Sequence, residues 1–336
     1  MTLLYLDGFA HAQSASRYVG GSGPGMTLTA APRVAGGYYA NSNQNVEFKK
    51  AITASADVIV GMGFRPNSTT ANQGICSFWG DSNATQHITV RRNVSTGFIE
   101  VTRAGTLIAT GTTLCPANAW FYIEVRVTIS DTVGVVQVRL NGSTVNDINF
   151  SGDTRNAGTS TNIDTIGFGN WANGSADFIA DVYILNSLGT LNNTFLGDVA
   201  VRVLTPNGDG SSSVLVGSDG NSVSNWQQVD ELPPAAADYN GSANAGDKDT
   251  YALSDLAANV TTVFGVQVDA VMAKSDAGTG SAKIVTRSGG TDFVPNTYGL
   301  QTSYVEYREL QETDPATSAA WTVAAANALQ VGMQVA

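Results

Sequence analysis

Three consecutive strand patterns constrain the fold of this chain more than any other feature. Residues 119–129 (AWFYIEVRVTI) alternate in polarity after the first turn, which is typical of a strand with one face in a core. Residues 134–140 (GVVQVRL) are its predicted partner. Asn141-Gly142, a type I′ hairpin signature, then leads into a third strand over residues 145–150. The odd positions of the first strand should therefore face a core and its even positions solvent.

Similar patterns recur at intervals of about ten residues through the first half of the chain, with Gly and Asn turns between them and no convincing helix. Charged residues make up only 13 % of the sequence, which is too few for the outer faces of exposed helices. So many strands bury their apolar faces by stacking as two sheets. The sequence therefore predicts an all-β protein that begins with a β-sandwich.

A boundary between two domains is expected near the middle of the chain. Strand patterns at residues 164–168 and 177–185 close the first domain, and a further strand is predicted over residues 198–204 after a polar turn. Pro206 and two glycines then interrupt that pattern. The predicted domains are residues 1–195 and 196–336.

The second domain is predicted to be a smaller β-sandwich with one short C-terminal helix. Residues 260–274 have the pattern of a long strand, with residues 282–287 as its hairpin partner. Thr322 is a suitable N-cap for a helix over residues 323–329, and Gly332 is the expected stop.

The charge balance excludes two classes of partner. The chain carries 28 acidic and 17 basic side chains, for a formal net charge of −11. Nucleic acids and anionic membrane surfaces are bound largely through Lys and Arg, so neither is expected as a partner.

The sequence also indicates where the chain is made. No apolar run approaches the roughly 20 residues of a membrane helix, and the N-terminal MTLLYLDGFAHA lacks the basic region of a secretion signal. Synthesis in a cytoplasm without signal-dependent export is therefore expected. That origin favours two buried thiols at Cys76 and Cys115 over a disulfide, although a disulfide would form if their strands were neighbours in an oxidising compartment.

The carboxylates do not form a pattern typical of catalysis. Glu100 and Glu124 are isolated on their strands beside arginines, which favours a solvated face with cross-strand pairing over a catalytic pair. Asp177 and Asp181 lie four residues apart on one predicted strand and should point to the same side, so they are candidate ligands of Ca²⁺. The alternative is that both carboxylates accept hydrogen bonds from loop N–H groups.

Two tryptophans are the candidate contacts for a glycan. Indole rings stack on sugars at the edge of a sandwich, although most strand tryptophans are core residues. Trp171 lies in GNWANG between two turns and is expected to be exposed, and Trp79 at the end of a strand pattern is the second candidate.

Several segments resemble known families. The runs WFYIEVRV, VVQVRLNGSTV and IGFGNWANGSADFIADVYI resemble the concanavalin A-like or laminin G-like jelly-roll domains. The continuation, DVYILNSLGTLNNTFLGDVAVRVLTPNGDG and WQQVDELPPAAADYNGSANAGDKDTYALSDL, resembles structural proteins of tailed bacteriophages that join such a jelly roll to a second β domain. This resemblance covers essentially the whole chain.

The resemblance implies a non-enzymatic protein on the exterior of a tailed phage particle, as a capsid decoration, neck or tail-fibre component. Its partners would be other virion proteins and further copies of itself, with a trimer favoured, and it would be made in the host cytoplasm. No cofactor is expected apart from the candidate Ca²⁺. Two alternatives remain: a glycan-binding module that contributes to host adsorption, and a polysaccharide-degrading enzyme, for which the Glu-x-Asp-x-x-Glu motif of glucanases with this fold is missing.

Overall fold

A computed structural model describes residues 2–9, 18, 29–30, 33–34, 38–42, 47–67, 70–158, 160–169 and 177–336. The chain divides into two compact units. The first extends to Val201 and the second continues from Arg202 to Ala336.

The first unit consists of antiparallel strands. Its strands are β1 (Leu3–Asp7), β2 (Thr29–Ala30), β3 (Tyr38–Ser42), β4 (Phe48–Ser55), β5 (Asp57–Arg65), β6 (Gln73–Gly80), β7 (Thr85–Arg92), β8 (Ile99–Arg103), β9 (Thr106–Thr110), β10 (Phe121–Thr128), β11 (Gly134–Leu140), β12 (Ile148–Gly152), β13 (Ile163–Phe168) and β14 (Asp177–Asn186). An eight-stranded sheet has the order β12-β11-β10-β5-β14-β3-β2, with β1 also paired to β14. A six-stranded sheet has the order β4-β13-β6-β7-β8-β9.

One apolar core lies between these two sheets. Met62 and Phe64 of β5 and Ile123 of β10 come from the eight-stranded sheet, and Phe78 of β6 and Val90 of β7 come from the six-stranded sheet. Each of these side chains is at most 1 % exposed, and burying one contributes about 1.5–3 kcal/mol relative to leaving it in water. The prediction of an all-β chain that begins with a β-sandwich is confirmed.

Strand β10 shows how the sequence pattern produces this arrangement. Its odd positions are buried in the core as predicted, and β10 pairs with β11 on one side and β5 on the other. Asn141 and Gly142 adopt the predicted left-handed conformation, with φ values of 52° and 70°. The turn that contains them is longer than predicted: the next strand, β12, begins at Ile148 and not at residue 145.

A segment that follows β14, residues 195–201 and here called the strap, lies against the outer face of the eight-stranded sheet at β10 and β14. Gly197 N–H donates to Glu124 Oε1 at 2.8 Å, and Val201 N–H donates to Asp181 Oδ1 at 2.8 Å. Glu124 is therefore 1 % exposed, and the expectation of a solvated face there is wrong. The strand predicted over residues 198–204 is also wrong, because backbone groups of this segment bond to side chains instead of a neighbouring strand.

Arg33 also links the strap to the sheet, since it bonds to residues of both. Its Nε donates to Asp181 Oδ2 at 2.8 Å, and its two terminal nitrogens donate to Asp198 Oδ1 and to the carbonyl oxygen of Val199. The guanidinium carbon lies 4.7 Å from the centroid of the Tyr122 ring. The ion pair with Asp181 is nearly buried, so removing either partner would leave an unpaired buried charge.

The second unit is also built from strands. They are β15 (Pro206–Ser213), β16 (Val216–Gly217), β17 (Asn240–Gly241), β18 (Lys248–Leu253), β19 (Val266–Met272), β20 (Ser281–Ser288), β21 (Thr291–Phe293), β22 (Tyr298–Gly299), β23 (Val305–Gln311), β24 (Thr313–Asp314), β25 (Ala319–Ala320) and β26 (Gln330–Val335), with a 3-10 helix at Asn225–Gln228. The main sheet has the order β15-β18-β26-β20-β21, with β22 paired to β20. Val268 and Met272 of the β19-β23 ribbon pack against Ile284 of this sheet.

Two predicted features of this unit are wrong. β19 is shorter than predicted and pairs with β23, whereas β20 pairs with β26, β21 and β22. Gly332 does not end the helix region but lies within β26, where an added Cβ would fall 1.9 Å from the carbonyl oxygen of Asp249. Glycine is therefore required there by the close approach of β18.

The predicted C-terminal helix is present as α1 (Val323–Asn327). The hydroxyl of Thr322 accepts from the N–H of Ala325 at 3.0 Å, which is the N-cap contact expected from the sequence. No helix in the described part of the chain has the length and apolar character needed to span a bilayer.

Candidate functional site

A row of four small residues crosses the outer face of the six-stranded sheet. Gly167 of β13 lies opposite Ser77 of β6, Ser77 opposite Thr89 of β7, and Thr89 opposite Thr102 of β8. Their strand neighbours, such as Phe78, point into the core, so these four point outwards. The row spans three strand spacings, which is about 14 Å.

The row is recessed. Ser77, Thr102 and Thr89 are only 0 %, 3 % and 8 % exposed. We call the row the trough floor. The hydroxyls of Thr89 and Thr102 make no side-chain hydrogen bond within the residues that the structure describes.

An ion pair forms one wall of the trough. Arg91 of β7 and Glu100 of β8 lie directly opposite each other, and Arg91 Nε and Nη2 each lie 2.8 Å from Glu100 Oε2. Asn93 Nδ2 donates to the other carboxylate oxygen at 2.6 Å. The cross-strand pairing expected for Glu100 is present, although its partner is Arg91 and the carboxylate is only 6 % exposed, so the expected solvated face is wrong here too.

Trp79 stands on the other side of the trough and is half-buried. Its indole N–H donates to the hydroxyl of Ser77 at 2.5 Å, and that hydroxyl donates to Glu47 Oε1. The ammonium of Lys49 lies 3.5 Å from the centroid of the indole ring. Trp79 is thus fixed by a hydrogen bond at its edge and a cation on one face.

Glu47 occupies the space above Gly167. A Cβ at Gly167 would lie 1.9 Å from Glu47 Oε1 and 2.4 Å from the Ser77 hydroxyl oxygen, so only glycine leaves room for this carboxyl group. Burial raises the pKa of Glu47, while hydrogen bonds from Ser77 and the charge of Lys49 act in the opposite direction. Neither Glu47 nor Lys49 can be recognised from the sequence, because no local pattern connects β4 with β6.

The two candidate Ca²⁺ ligands have separate partners. Asp177 Oδ1 accepts from the N–H of Asn67 at 2.9 Å, whereas Asp181 bonds to Arg33 and to the N–H of Val201. The two residues do not occupy equivalent positions of a regular strand, because Asp181 has a φ of 52° and the register shifts between Ala180 and Tyr183. Within the described residues, no group of three or more His, Cys, Asp or Glu side chains is arranged to hold a metal ion.

Asp177 gives the first unit a pH-dependent stability. The carboxyl is fully buried, and burial raises its pKa from 3.8 to about 6, against opposing effects of the Asn67 N–H and the Arg92 charge. The folded chain therefore holds this proton more tightly than the unfolded chain. The contribution of protonated Asp177 to the stability of the folded chain is therefore fully present below about pH 4 and is lost as pH rises through about 6.

Asp177→Asn should remove this dependence. At pH 7.5 the variant is expected to have a free energy of unfolding up to about 3 kcal/mol above that of the unaltered chain, because no buried carboxylate must ionise. At pH 4 the two should be equal. Urea unfolding at both pH values measures the difference, with Asp131→Asn on the exposed surface as the control. An equal difference at both pH values would contradict the assignment.

Trp171, the first-ranked glycan contact from the sequence, lies outside the described residues. Cys76 and Cys115 are both buried free thiols, as the cytoplasmic interpretation expected. Burial raises the pKa of Cys115 to about 12 and that of Cys76 still further, so neither is a reactive thiolate at neutral pH.

Comparisons with known proteins give structural neighbours only. No protein-family model matches the sequence, and no curated protein matches it. A carbohydrate-binding module, CBM66, from Bacillus subtilis covers 50 % of this chain and 97 % of its own, at 12 % identity and a TM-score of 0.35. The galectin LEC-6 from Caenorhabditis elegans covers 43 % of this chain and 93 % of its own, at 12 % identity and a TM-score of 0.29.

Catalytic domains are also among the similar structures. The catalytic domain of a glycoside hydrolase family 131 protein from Coprinopsis cinerea covers 54 % of this chain and 86 % of its own, at 14 % identity and a TM-score of 0.33. Binding modules and enzymes thus occur at the same low level of similarity, and the similarity does not distinguish between them.

Proposed function

We propose that the first unit is a glycan-binding β-sandwich whose ligand lies along the trough. The observation that carries this proposal is the recessed floor with two unengaged hydroxyls, those of Thr89 and Thr102. Sugar hydroxyls both donate and accept, so threonine hydroxyls and an oriented carboxylate such as Glu100 suit them. On the opposite outer face of the sandwich, the strap occupies the area over Glu124 of β10 and Asp181 of β14, whereas the trough lies on the face of the six-stranded sheet.

The proposal favours binding over hydrolysis. Glu47 and Glu100 are the carboxylates at the two ends of the trough, and a catalytic pair would need both of them free to react with a sugar. Glu47 and Glu100 are instead each held by a cation, Lys49 and Arg91.

The double substitution Thr89→Val with Thr102→Val tests the proposal. Valine keeps the shape of threonine and removes only the hydroxyl, so the floor stays recessed while two hydrogen bonds are lost. At about 0.5–1.5 kcal/mol each, their loss should weaken binding roughly tenfold or more. A glycan array would identify the ligand, and calorimetry on both proteins would measure the change.

The control for this experiment is Thr291→Val, which removes an exposed hydroxyl from β21 of the second unit. It should leave affinity unchanged. A flat array for the unaltered chain, or equal affinities for the double variant and the unaltered chain, would overturn the assignment. The sequence-based prediction that Trp171→Ala removes the array signal is measured in the same series.

We further propose that this binding serves a tailed phage particle, on whose exterior the chain assembles with other virion proteins and with copies of itself, a trimer being the favoured assembly. The support is the sequence resemblance of both halves of the chain to such proteins. Mass spectrometry of purified particles tests this setting, and absence of the chain from them would contradict it. Glycan binding by the isolated protein is measured independently.

A further inference from the structure

A lysine, an asparagine and a glutamic acid converge beside Trp79. Lys49 Nζ donates to Asn83 Oδ1 at 2.8 Å and lies 3.4 Å from Glu47 Oε2. The same nitrogen lies 3.5 Å from the centroid of the indole ring. The Lys49 and Glu47 side chains are 16 % and 8 % exposed, so an amine, an amide carbonyl and a carboxyl group meet in a site largely screened from water.

Asn83 is held rigidly in this position. The turn between β6 and β7 places Asp81, Ser82 and Asn83 consecutively in the left-handed region, with φ values of 55°, 55° and 71°. Ser82 N–H donates to Asp164 Oδ2 at 2.8 Å, and Thr85 Oγ donates to Asp81 Oδ2 at 2.7 Å. The amide of Asn83 is therefore fixed against Lys49 before any reaction.

Glu47 is fixed as well. The hydroxyl of Ser77 donates to one of its oxygens, and Gly167 leaves the space that its carboxyl group occupies. Its other oxygen faces Lys49. A carboxyl group in this position can accept a proton from an amine and return it to a leaving group on the same side.

We propose that the folded chain joins Lys49 to Asn83 through an isopeptide bond, with Glu47 as the proton carrier. The neutral amine of Lys49 attacks Cγ of Asn83 and forms a C–N bond. Glu47 takes a proton from the attacking nitrogen and passes it to the side-chain nitrogen of Asn83. The bond from Cγ to that nitrogen then breaks, and one molecule of ammonia leaves; no oxidant, reductant or cofactor is needed.

Burial raises the pKa of Glu47, so this carboxylate takes up a proton from the attacking nitrogen more readily than an exposed glutamate would. The Trp79 ring covers one side of the Lys49 side-chain nitrogen. Trp79 therefore has a role in the first unit whether or not it also contacts a glycan.

The bond would strengthen an exposed part of the sandwich. Lys49 lies on β4, the edge strand of the six-stranded sheet, whereas Asn83 lies in the β6–β7 turn on the far side of β13. Edge strands are the parts of a sheet that open or pair wrongly most readily. A covalent link from β4 to this turn would prevent the edge strand from detaching.

Intact-mass spectrometry of the purified full chain tests the proposal. The expected mass is lower than that of the translated sequence by one ammonia. After trypsin digestion, a branched peptide should join the segment that contains Lys49 to the segment that contains Asn83. The measurement needs no glycan or phage particle, so its outcome is independent of the proposed binding function.

Variants separate this reaction from other losses of ammonia. Lys49→Arg and Asn83→Ala should each restore the full mass and abolish the branched peptide, and Glu47→Gln should do so while circular dichroism confirms the fold. Lys50→Arg, on the next residue of β4, should still form the bond. A succinimide at Asn141-Gly142 also loses ammonia, but it would persist in Lys49→Arg. Full mass in the unaltered chain, or cleavage by trypsin after Lys49, would overturn the proposal.

Discussion

Replacing Gly61 by alanine is expected to destabilise the first unit by about 3 kcal/mol, the cost of forcing an extra methyl group into a packed site. An added Cβ would lie 2.1 Å from Tyr183 Cε1 and 2.5 Å from its Cζ. The Tyr183 ring is fully buried. Its hydroxyl donates to Glu124 and accepts from Leu196 N–H at 3.3 Å, so a displaced ring would also release the strap.

The sign of this effect is informative, because alanine in a strand is otherwise more favourable than glycine by roughly 0.5–1 kcal/mol. Thermal unfolding should show a melting temperature lower by about 6–12 °C. The double variant with Tyr183→Ala should lose most of the additional penalty, since the ring that collides with the methyl group is gone. A Gly61→Ala protein as stable as the unaltered chain would show that Tyr183 does not lie across β5.

The strap also shows where prediction from sequence fails. The alternation in β10 correctly identified its core face, because that face is decided by a period of two residues and by the apolar side chains themselves. What covers the opposite face depends on residues 195–201, which are separated from Glu124 by about 70 residues and have no pattern that indicates a strap. The polar even positions were therefore interpreted as solvated, although Glu124 is buried.

The candidate site was predicted only in part for the same reason. Trp79 and Glu100 were singled out from their own strands, but Arg91, which lies opposite Glu100, was not recognised as its partner. The trough floor depends on the register of four strands, which the sequence does not specify residue by residue. Asp177 and Asp181 illustrate the opposite error, since a spacing rule for regular strands was applied across a bulge.

The second unit has one buried carboxylate whose environment allows a sharp test. Asp249 is fully buried. Its Oδ1 accepts from the backbone N–H groups of Val214 and Leu215 at 2.5 and 2.8 Å, and its Oδ2 accepts from Asn225 Nδ2 and Tyr251 OH at 2.6 and 3.2 Å. All four contacts come from donors, so the side chain that satisfies them needs two acceptor oxygens.

Asp249→Asn should therefore destabilise the second unit by about 3 kcal/mol, although it changes neither shape nor volume. One end of an amide is an NH₂ group, and in either orientation it would face two donors and leave them without acceptors. If the NH₂ group faces Val214 and Leu215, their amide hydrogens should exchange with solvent much faster, which hydrogen exchange can locate. Asp269→Asn on the exposed side of β19 should change stability by less than about 0.5 kcal/mol. Equal effects of the two substitutions would mean that Asp249 does not organise the segment between β15 and β18.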